Sequence, residues 1–252
     1  MEKDYLVGLI KFISPEYSND FENNKLFFND LPTFHRIEHE QIGDKLEGVI
    51  SKKIGDEKIK NGVTMYYQVE DEPKVNSVQI DSTTIKITPD IINEMYINCF
   101  SKIMLSDLEV YEKNILKIKE RYIERLKDIH DGRNMYVTIG GNKDRFLENI
   151  TSYAKSNKLQ MKGNIVNYYQ NTHPMFDKIY NMNRLLIRDW VNGCFHKSAK
   201  YQNQNEYRLL FIGLKSNIVE IKNMYKDWIK VDNLNNVRVV TGTKEEVEKY
   251  LK

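Results

Sequence analysis

Three polar residues beside an apolar run have the types and spacing in this chain that best suit chemistry. Gln204, Glu206 and Arg208 alternate immediately before the run 209–211. Residues two apart on an extended chain project to the same side, so the spacing predicts that the three side chains lie together. A carboxylate and a guanidinium next to an apolar core must pair with each other or with a polar ligand. The segment is therefore either a structural ion pair or the wall of a binding site.

Common catalytic and metal-binding motifs are mostly missing from the sequence. It has no phosphate-binding glycine loop that ends in Lys-Ser or Lys-Thr, and no serine motif of the Gly-x-Ser-x-Gly type. His35 and His39 are four residues apart, as two metal ligands on one helical turn would be, but the order of the His-Glu-x-x-His motif is absent. Because glutamates lie beside them, a solvated and charged segment is favoured, and we expect no metal site.

The composition excludes several classes of protein. The 252 residues include 38 basic and 36 acidic side chains, and the net charge of +2 is too small for a protein whose affinity rests on a broad phosphate-binding surface. Cys99 and Cys194 have no metal-ligand spacing and indicate a reduced protein without disulfides. The N-terminus lacks the pattern of a signal peptide, and no segment has the length of a transmembrane helix. We therefore expect a cytoplasmic protein that does not contact a membrane.

The periodicity of the apolar residues predicts a mixture of strands and helices. A strand, a short helix and a second strand are expected between Tyr5 and Phe28, and three β-rich runs follow between Gly62 and Thr88. Another β-type run spans Met95 to Met104. Strands and helices then interleave, yet many strand pairs are too close in sequence to need a crossover helix. We expect one α+β domain over residues 1–252, with a largely antiparallel central sheet and flanking helices.

The clearest helical pattern lies within residues 105–131. Ser106 and Glu109 have the spacing of a capping box, and apolar residues then recur at intervals of three and four until Gly132. The pattern predicts a long amphipathic helix from Ser106 to Ile129, inserted in the domain. Packing of its apolar stripe on the core is favoured, and an oligomer or partner interface is the alternative.

Several short elements occur along the chain in a fixed order. They are Lys11-Phe12, Leu26-Phe27-Phe28, Asp44-Lys45-Leu46-Glu47-Gly48, Cys99-Phe100-Ser101, His130-Asp131-Gly132, and Lys197 followed by Glu206-Tyr207-Arg208. This series resembles that of a bacterial and phage family of unknown function, whose fold resembles a divergent ADP-ribosyltransferase. The likeness covers most of the chain up to Phe211. Members of the family often occur near defence genes, so the resemblance implies an antiviral defence or toxin effector.

The resemblance also implies that the protein binds NAD and cleaves it. Cleavage of the bond between nicotinamide and ribose builds positive charge on the ribose, so a carboxylate that accepts from a ribose hydroxyl stabilises the transition state. Glu206 is then the catalytic carboxylate, and Gln204 positions the acceptor, a protein or a nucleic acid. Lys11 or Arg208 holds the pyrophosphate. The other implied NAD-binding residues are Tyr201 or Phe28, stacked on the nicotinamide, together with Asp44 and His130.

Two further classes of function stay open. A non-catalytic interaction protein would bind its partner through the long helix or through some of the sixteen tyrosines, which offer contact area and a polar tip together. Nucleic-acid binding would use aromatic residues such as Tyr168 and Tyr169 with nearby lysines. The small net charge disfavours nucleic-acid binding as the sole role.

Overall fold

The computed structural model describes residues 4–36, 49–53, 63–68, 75–81, 84–88, 90–176 and 187–240. Its first elements are strand β1 (Leu6–Ile13), helix α1 (Pro15–Glu22) and strand β2 (Lys25–Phe27). A proline in the first turn starts α1, and Asn24, in the left-handed conformation at φ 65°, turns the chain into β2. The predicted order of strand, short helix and strand is therefore confirmed.

The other elements follow in chain order. The strands are β3 (Asn29–Asp30), β4 (Ile50–Lys53), β5 (Val63–Gln68), β6 (Val75–Asp81), β7 (Thr84–Thr88), β8 (Met95–Met104), β9 (Leu108–Glu112), β10 (Ile115–Ile118), β11 (Asn134–Ile139), β12 (Gln160–Ile165), β13 (Asn167–Tyr169), β14 (His196–Ser198), β15 (Glu206–Ile212), β16 (Ile218–Glu220), β17 (Ile229–Val231) and β18 (Arg238–Val240). The helices are α2 (Leu31–Arg36), α3 (Glu120–His130), α4 (Gly141–Ser156) and α5 (Ile187–Gly193). The three predicted β-rich runs are β5, β6 and β7, which pair as antiparallel hairpins.

An antiparallel sheet forms the centre of the molecule and has seven strands in the part of the chain that the structure describes. Its order is β12–β15–β8–β1–β11–β17, and β3 also pairs with β8. A four-stranded sheet, β4–β7–β6–β5, and a three-stranded sheet, β18–β10–β9, are antiparallel as well. Strands β13 and β14 pair in parallel. The predicted α+β class with a largely antiparallel sheet is therefore confirmed.

Three apolar clusters cover the two faces of the central sheet. Neighbouring residues of a strand point to opposite faces, and Leu9 and Ile10 of β1 accordingly belong to different clusters. The first cluster, with Phe146 of α4 and Trp228, lies on one face. The second cluster, around Trp190 of α5, and the third, around α3, lie on the other face. The strands of the central sheet are therefore held from both sides.

The predicted long helix from Ser106 to Ile129 is wrong. Its first half contains the hairpin of β9 and β10, and only its second half is helical, in α3. Glu109 does not cap a helix but pairs across the hairpin with Lys117 at 3.0 Å, and Asn114 closes the turn with a φ of 63°. Apolar intervals of three and four also arise when two short strands are joined by a turn, and the β-branched residues of this segment favour strands.

The apolar residues of α3 point into the protein. Tyr122 and Leu126 are buried and pack in the third cluster. The predicted helical insertion over residues 105–131 is thus a hairpin followed by an 11-residue helix that covers the sheet. The single helix from 106 to 129 that was expected to carry an oligomer or partner interface is therefore not present.

Candidate functional site

A gap in the pairing of β8 lies near the middle of the central sheet. One edge of β8 pairs with β15 from Met95 to Ser101. The other edge pairs with β3 at Tyr96 and Ile97, and with β1 from Ser101 onwards. Within the described part of the chain, residues 98–100 of β8 therefore have no neighbouring strand on this edge. A strand edge without a partner presents backbone groups that must be satisfied in another way.

The side chain of Lys11 fills part of this gap. Its ammonium group donates to the Asn98 Oδ1 atom at 2.7 Å and to the Cys99 carbonyl oxygen at 2.8 Å. The same ammonium lies 5.0 Å from the centre of the Phe100 ring. Asn98 in turn donates to the carbonyl oxygen of Phe27 at 2.6 Å, so β2 is tied to the same gap. Lys11 therefore holds the two parts of the sheet together where the strands separate.

A cavity of about 640 Å³ opens at this gap and is lined by residues from both faces of the sheet. Its volume is within the range of small-molecule sites, roughly 300–1,000 Å³. Lys11, Gln204 and Glu206, three of the residues that the sequence singled out, line it together. They come from β1, from the turn before β15 and from β15 itself.

Glu206 is buried in the wall of the cavity and is held by two cations. Lys197 donates to its Oε1 atom at 2.8 Å, and the Nε of Arg208 donates to its Oε2 atom at 2.7 Å. Lys197 also donates to the Oε1 atom of Gln204 at 2.7 Å. Gln204 does not continue the strand as predicted, because it ends a 3₁₀ turn and Asn205 is left-handed at φ 48°. The shared bond to Lys197, and not strand alternation, brings Gln204 to Glu206.

Two charged groups that border the cavity have shifted pKa values. Burial alone would raise the pKa of Glu206, but the charges of Arg208 and Lys197 together lower it well below its ordinary value. Burial lowers the pKa of Lys11 to about 8, and the positive charge of nearby Arg133 also lowers it. The cavity therefore keeps a fixed carboxylate beside a lysine that is protonated below about pH 8.

Four other predicted site residues lie elsewhere in the described structure and do not line the cavity. Arg208 is fully buried and also donates to the carbonyl oxygen of Cys194, so it positions Glu206 and does not reach a ligand. Phe28 is fully buried against Phe211, with ring centres 5.0 Å apart, and cannot stack on nicotinamide. The two remaining residues are Tyr201, buried under the Lys197 ammonium at 4.6 Å, and His130, 6.2 Å from the ring of Phe12. Asp44 lies outside the described residues.

Five residues that the sequence did not mark as site residues also line the cavity: Tyr17, Phe27, Asn98, Arg133 and Lys197. Phe27 takes the place predicted for Phe28, because neighbouring residues of an extended chain point to opposite sides. Arg133 directly follows the His-x-Gly turn, which was the available signal for it. Nothing in the sequence distinguishes Asn98 and Tyr17 from their neighbours, since their positions at the cavity depend on long-range pairing and packing.

Comparisons with protein-family models, with curated proteins and with solved structures gave no match. The resemblance to ADP-ribosyltransferases therefore stays a prediction. Among the described residues, no helix is long and apolar enough to cross a membrane. The same part of the chain contains no group of three or more His, Cys, Asp or Glu side chains arranged to hold a metal ion.

Proposed function

We propose that the cavity binds NAD and that the protein cleaves its nicotinamide–ribose bond, as an ADP-ribosyltransferase or NAD glycohydrolase. One observation carries the proposal. The buried carboxylate of Glu206 borders a cavity of ligand size that also presents the ammonium of Lys11 and the amide of Gln204. A negative charge near the sugar and a positive charge for the phosphates are the two requirements of this chemistry.

The reaction breaks the bond between the nicotinamide nitrogen and C1′ of the ribose. Nicotinamide leaves with the bonding electron pair, and the ribose acquires positive charge. An acceptor hydroxyl, amine or water then attacks C1′ and releases its proton to solvent. Glu206 supports the first step by its charge and by accepting a hydrogen bond from a ribose hydroxyl. Because its pKa is lowered, Glu206 stays ionised and acts through its field and not as a proton acceptor.

The contacts of Glu206 leave room for this role. A carboxylate has about four acceptor positions, and Lys197 and Arg208 each use one, on different oxygens. The two cations fix the orientation of the carboxylate before a ligand arrives. Such preorganisation is the main source of electrostatic stabilisation in enzymes.

The test is incubation of the protein with adenylate-labelled NAD, with released nicotinamide and labelled macromolecules measured together. We expect Glu206→Gln to lower nicotinamide release by at least about a hundredfold, as the removal of one preorganised group does in other enzymes. The amide also leaves Lys197 and Arg208 without their counter-charge, so the variant is destabilised. Glu206→Asp keeps the charge and withdraws the carboxylate. Because its charge still faces Lys197 and Arg208, it should be destabilised less than Glu206→Gln and be similarly impaired.

Gln204→Ala distinguishes transfer of ADP-ribose to an acceptor macromolecule from hydrolysis of NAD. In the proposed role Gln204 positions the acceptor, so this variant should still release nicotinamide but should label acceptor macromolecules less than the wild type. Absence of nicotinamide release by the folded wild-type protein would show that the proposal is wrong. Equal activity of the wild type and both Glu206 variants would remove Glu206 from the reaction.

A further inference from the structure

We infer that Lys11 and Arg133 form a phosphate subsite in the cavity, and that the cavity mouth holds a planar ring, so that the ligand class is a nucleotide with a phosphate or pyrophosphate group. The inference rests on the proposed function only where NAD is named as the nucleotide. The subsite itself follows from the charges and surfaces that line the cavity.

The positively and negatively charged side chains that line the cavity differ in number. Among the described residues that line it, four are cations and two are carboxylates. Lys11 bonds to neutral acceptors, the Asn98 amide oxygen and the Cys99 carbonyl oxygen. The guanidinium of Arg133 makes no hydrogen bond or ion pair to the described residues. The two carboxylates are already paired with the other two lysines: Asp20 with Lys25 at 3.2 Å and Glu206 with Lys197 at 2.8 Å.

Lys11 and Arg133 are close enough for their charges to interact. Burial lowers the pKa of Lys11 first, and the positive charge of Arg133 lowers it further. The Glu206 carboxylate in the same cavity raises the pKa of Lys11, but less than burial and Arg133 lower it. Two cations that share a cavity repel each other, and a bound dianion removes this repulsion. The guanidinium supplies a planar fork of donors that matches two phosphate oxygens, and the lysine supplies a point charge. The third N–H of the Lys11 ammonium has no acceptor among the described residues, so it too can reach a phosphate oxygen.

The mouth of the cavity has a different character. Tyr17 and Phe27 line it with exposed rings, at 63 % and 52 % of their full accessibility, and Ile218 is 47 % exposed beside Phe27 on the paired strand β16. Aromatic rings next to a positively charged groove are the surfaces on which nucleotide bases stack. A ligand with a phosphate at one end and a planar ring at the other matches both parts of the cavity. Inorganic pyrophosphate would use only the first part.

The test measures binding of inorganic pyrophosphate and of ADP by calorimetry. Arg133→Met should weaken binding of both at least about tenfold, the effect of losing one charge-assisted hydrogen-bonding group. Lys25→Met is the matched control, because it removes an equal charge from the same cavity where a carboxylate partner is present. It should change either affinity less than about threefold. Phe27→Ser should weaken the binding of ADP about tenfold and leave the affinity for pyrophosphate unchanged.

Each outcome decides the inference. If Arg133→Met and Lys25→Met weaken pyrophosphate equally, the cavity attracts anions only through its general field and the subsite is wrong. If Arg133→Met has no effect, the phosphate lies elsewhere. The proposed function fails separately. If pyrophosphate and ADP bind through Arg133 but NAD is not cleaved, the phosphate subsite is supported and the proposed enzyme activity is overturned. If NAD is cleaved and Arg133→Met does not affect the cleavage, the enzyme activity is supported and the subsite is overturned.

Discussion

Glu206 can be buried because each of its oxygens accepts from a cation. Loss of one partner of a buried ion pair costs about 3–5 kcal/mol, since the remaining charge stays in a medium of low polarity. Lys197 and Arg208 therefore stabilise the folded protein whether or not Glu206 takes part in catalysis. The same contacts aim the carboxylate at the cavity, so the structural ion pair and the wall of a site are two properties of one arrangement.

The pKa of Lys11 gives a prediction that is independent of function. Burial lowers it to about 8 from 10.5, so between these two values the unfolded chain binds a proton that the folded protein has released. The free energy of unfolding should therefore increase with pH in this window, and the destabilising contribution of the charged, buried Lys11 is fully present below it.

Urea unfolding at the two ends of the window measures this effect. The wild type should gain stability with rising pH relative to Lys11→Met, which has no group to titrate at this position. The variant also leaves the acceptors at Asn98 and Cys99 without their donor. Its stability is thus lower throughout, and only the difference in pH dependence is diagnostic. Parallel pH profiles would show that Lys11 is protonated in the folded protein across the window.

At the scale of single elements, local patterns predicted strands and short helices well. Strand β8 has the predicted bounds. The long helix failed because apolar spacing alone does not distinguish a helix from a tight hairpin. The deciding feature is the left-handed turn at Asn114, which a sequence pattern does not display.

Within the site, alternation predicted only contacts between neighbours in sequence, and Lys11 was assigned to the site only by the resemblance. Glu206 and Arg208 lie on one strand, so their pairing followed from alternation. Asn98 enters the site because β1 and β3 leave a gap on β8, which is a matter of pairing between distant strands. No local rule fixes where two strands separate.

Substitution at Asn114 distinguishes the hairpin from a helix by the sign of its effect. At φ 63° glycine is unstrained and a β-branched residue costs about 1–2 kcal/mol, so Asn114→Gly should be more stable than Asn114→Val. In a helix the order would reverse, since glycine is the poorer helix former. Both variants lose the asparagine side chain, so the comparison isolates the backbone. Chemical unfolding of the two proteins measures it, and a more stable valine variant would contradict the hairpin.

At the scale of the whole molecule, the three apolar clusters share the same strands. Residues of β1, β8 and β15 alternate between the first cluster on one face and the second or third on the other. Loss of either layer would expose the opposite side of these strands to water. The faces of the sheet should therefore lose their packing together, as expected of one cooperative domain.

The two tryptophans test this coupling because they lie on opposite faces of the sheet. Trp228 packs in the first cluster and Trp190 in the second, and the sequence contains no other tryptophan. Trp190→Phe and Trp228→Phe each leave one fluorescent reporter. In urea, the fluorescence transition of each variant should coincide with its own far-UV circular dichroism transition, and the two variants should share one m-value. Comparison within each variant removes the effect of the substitution on stability. A fluorescence midpoint that differs from the dichroism midpoint would show that the faces unfold separately, and the cavity between them would then lie at the boundary of two independent units.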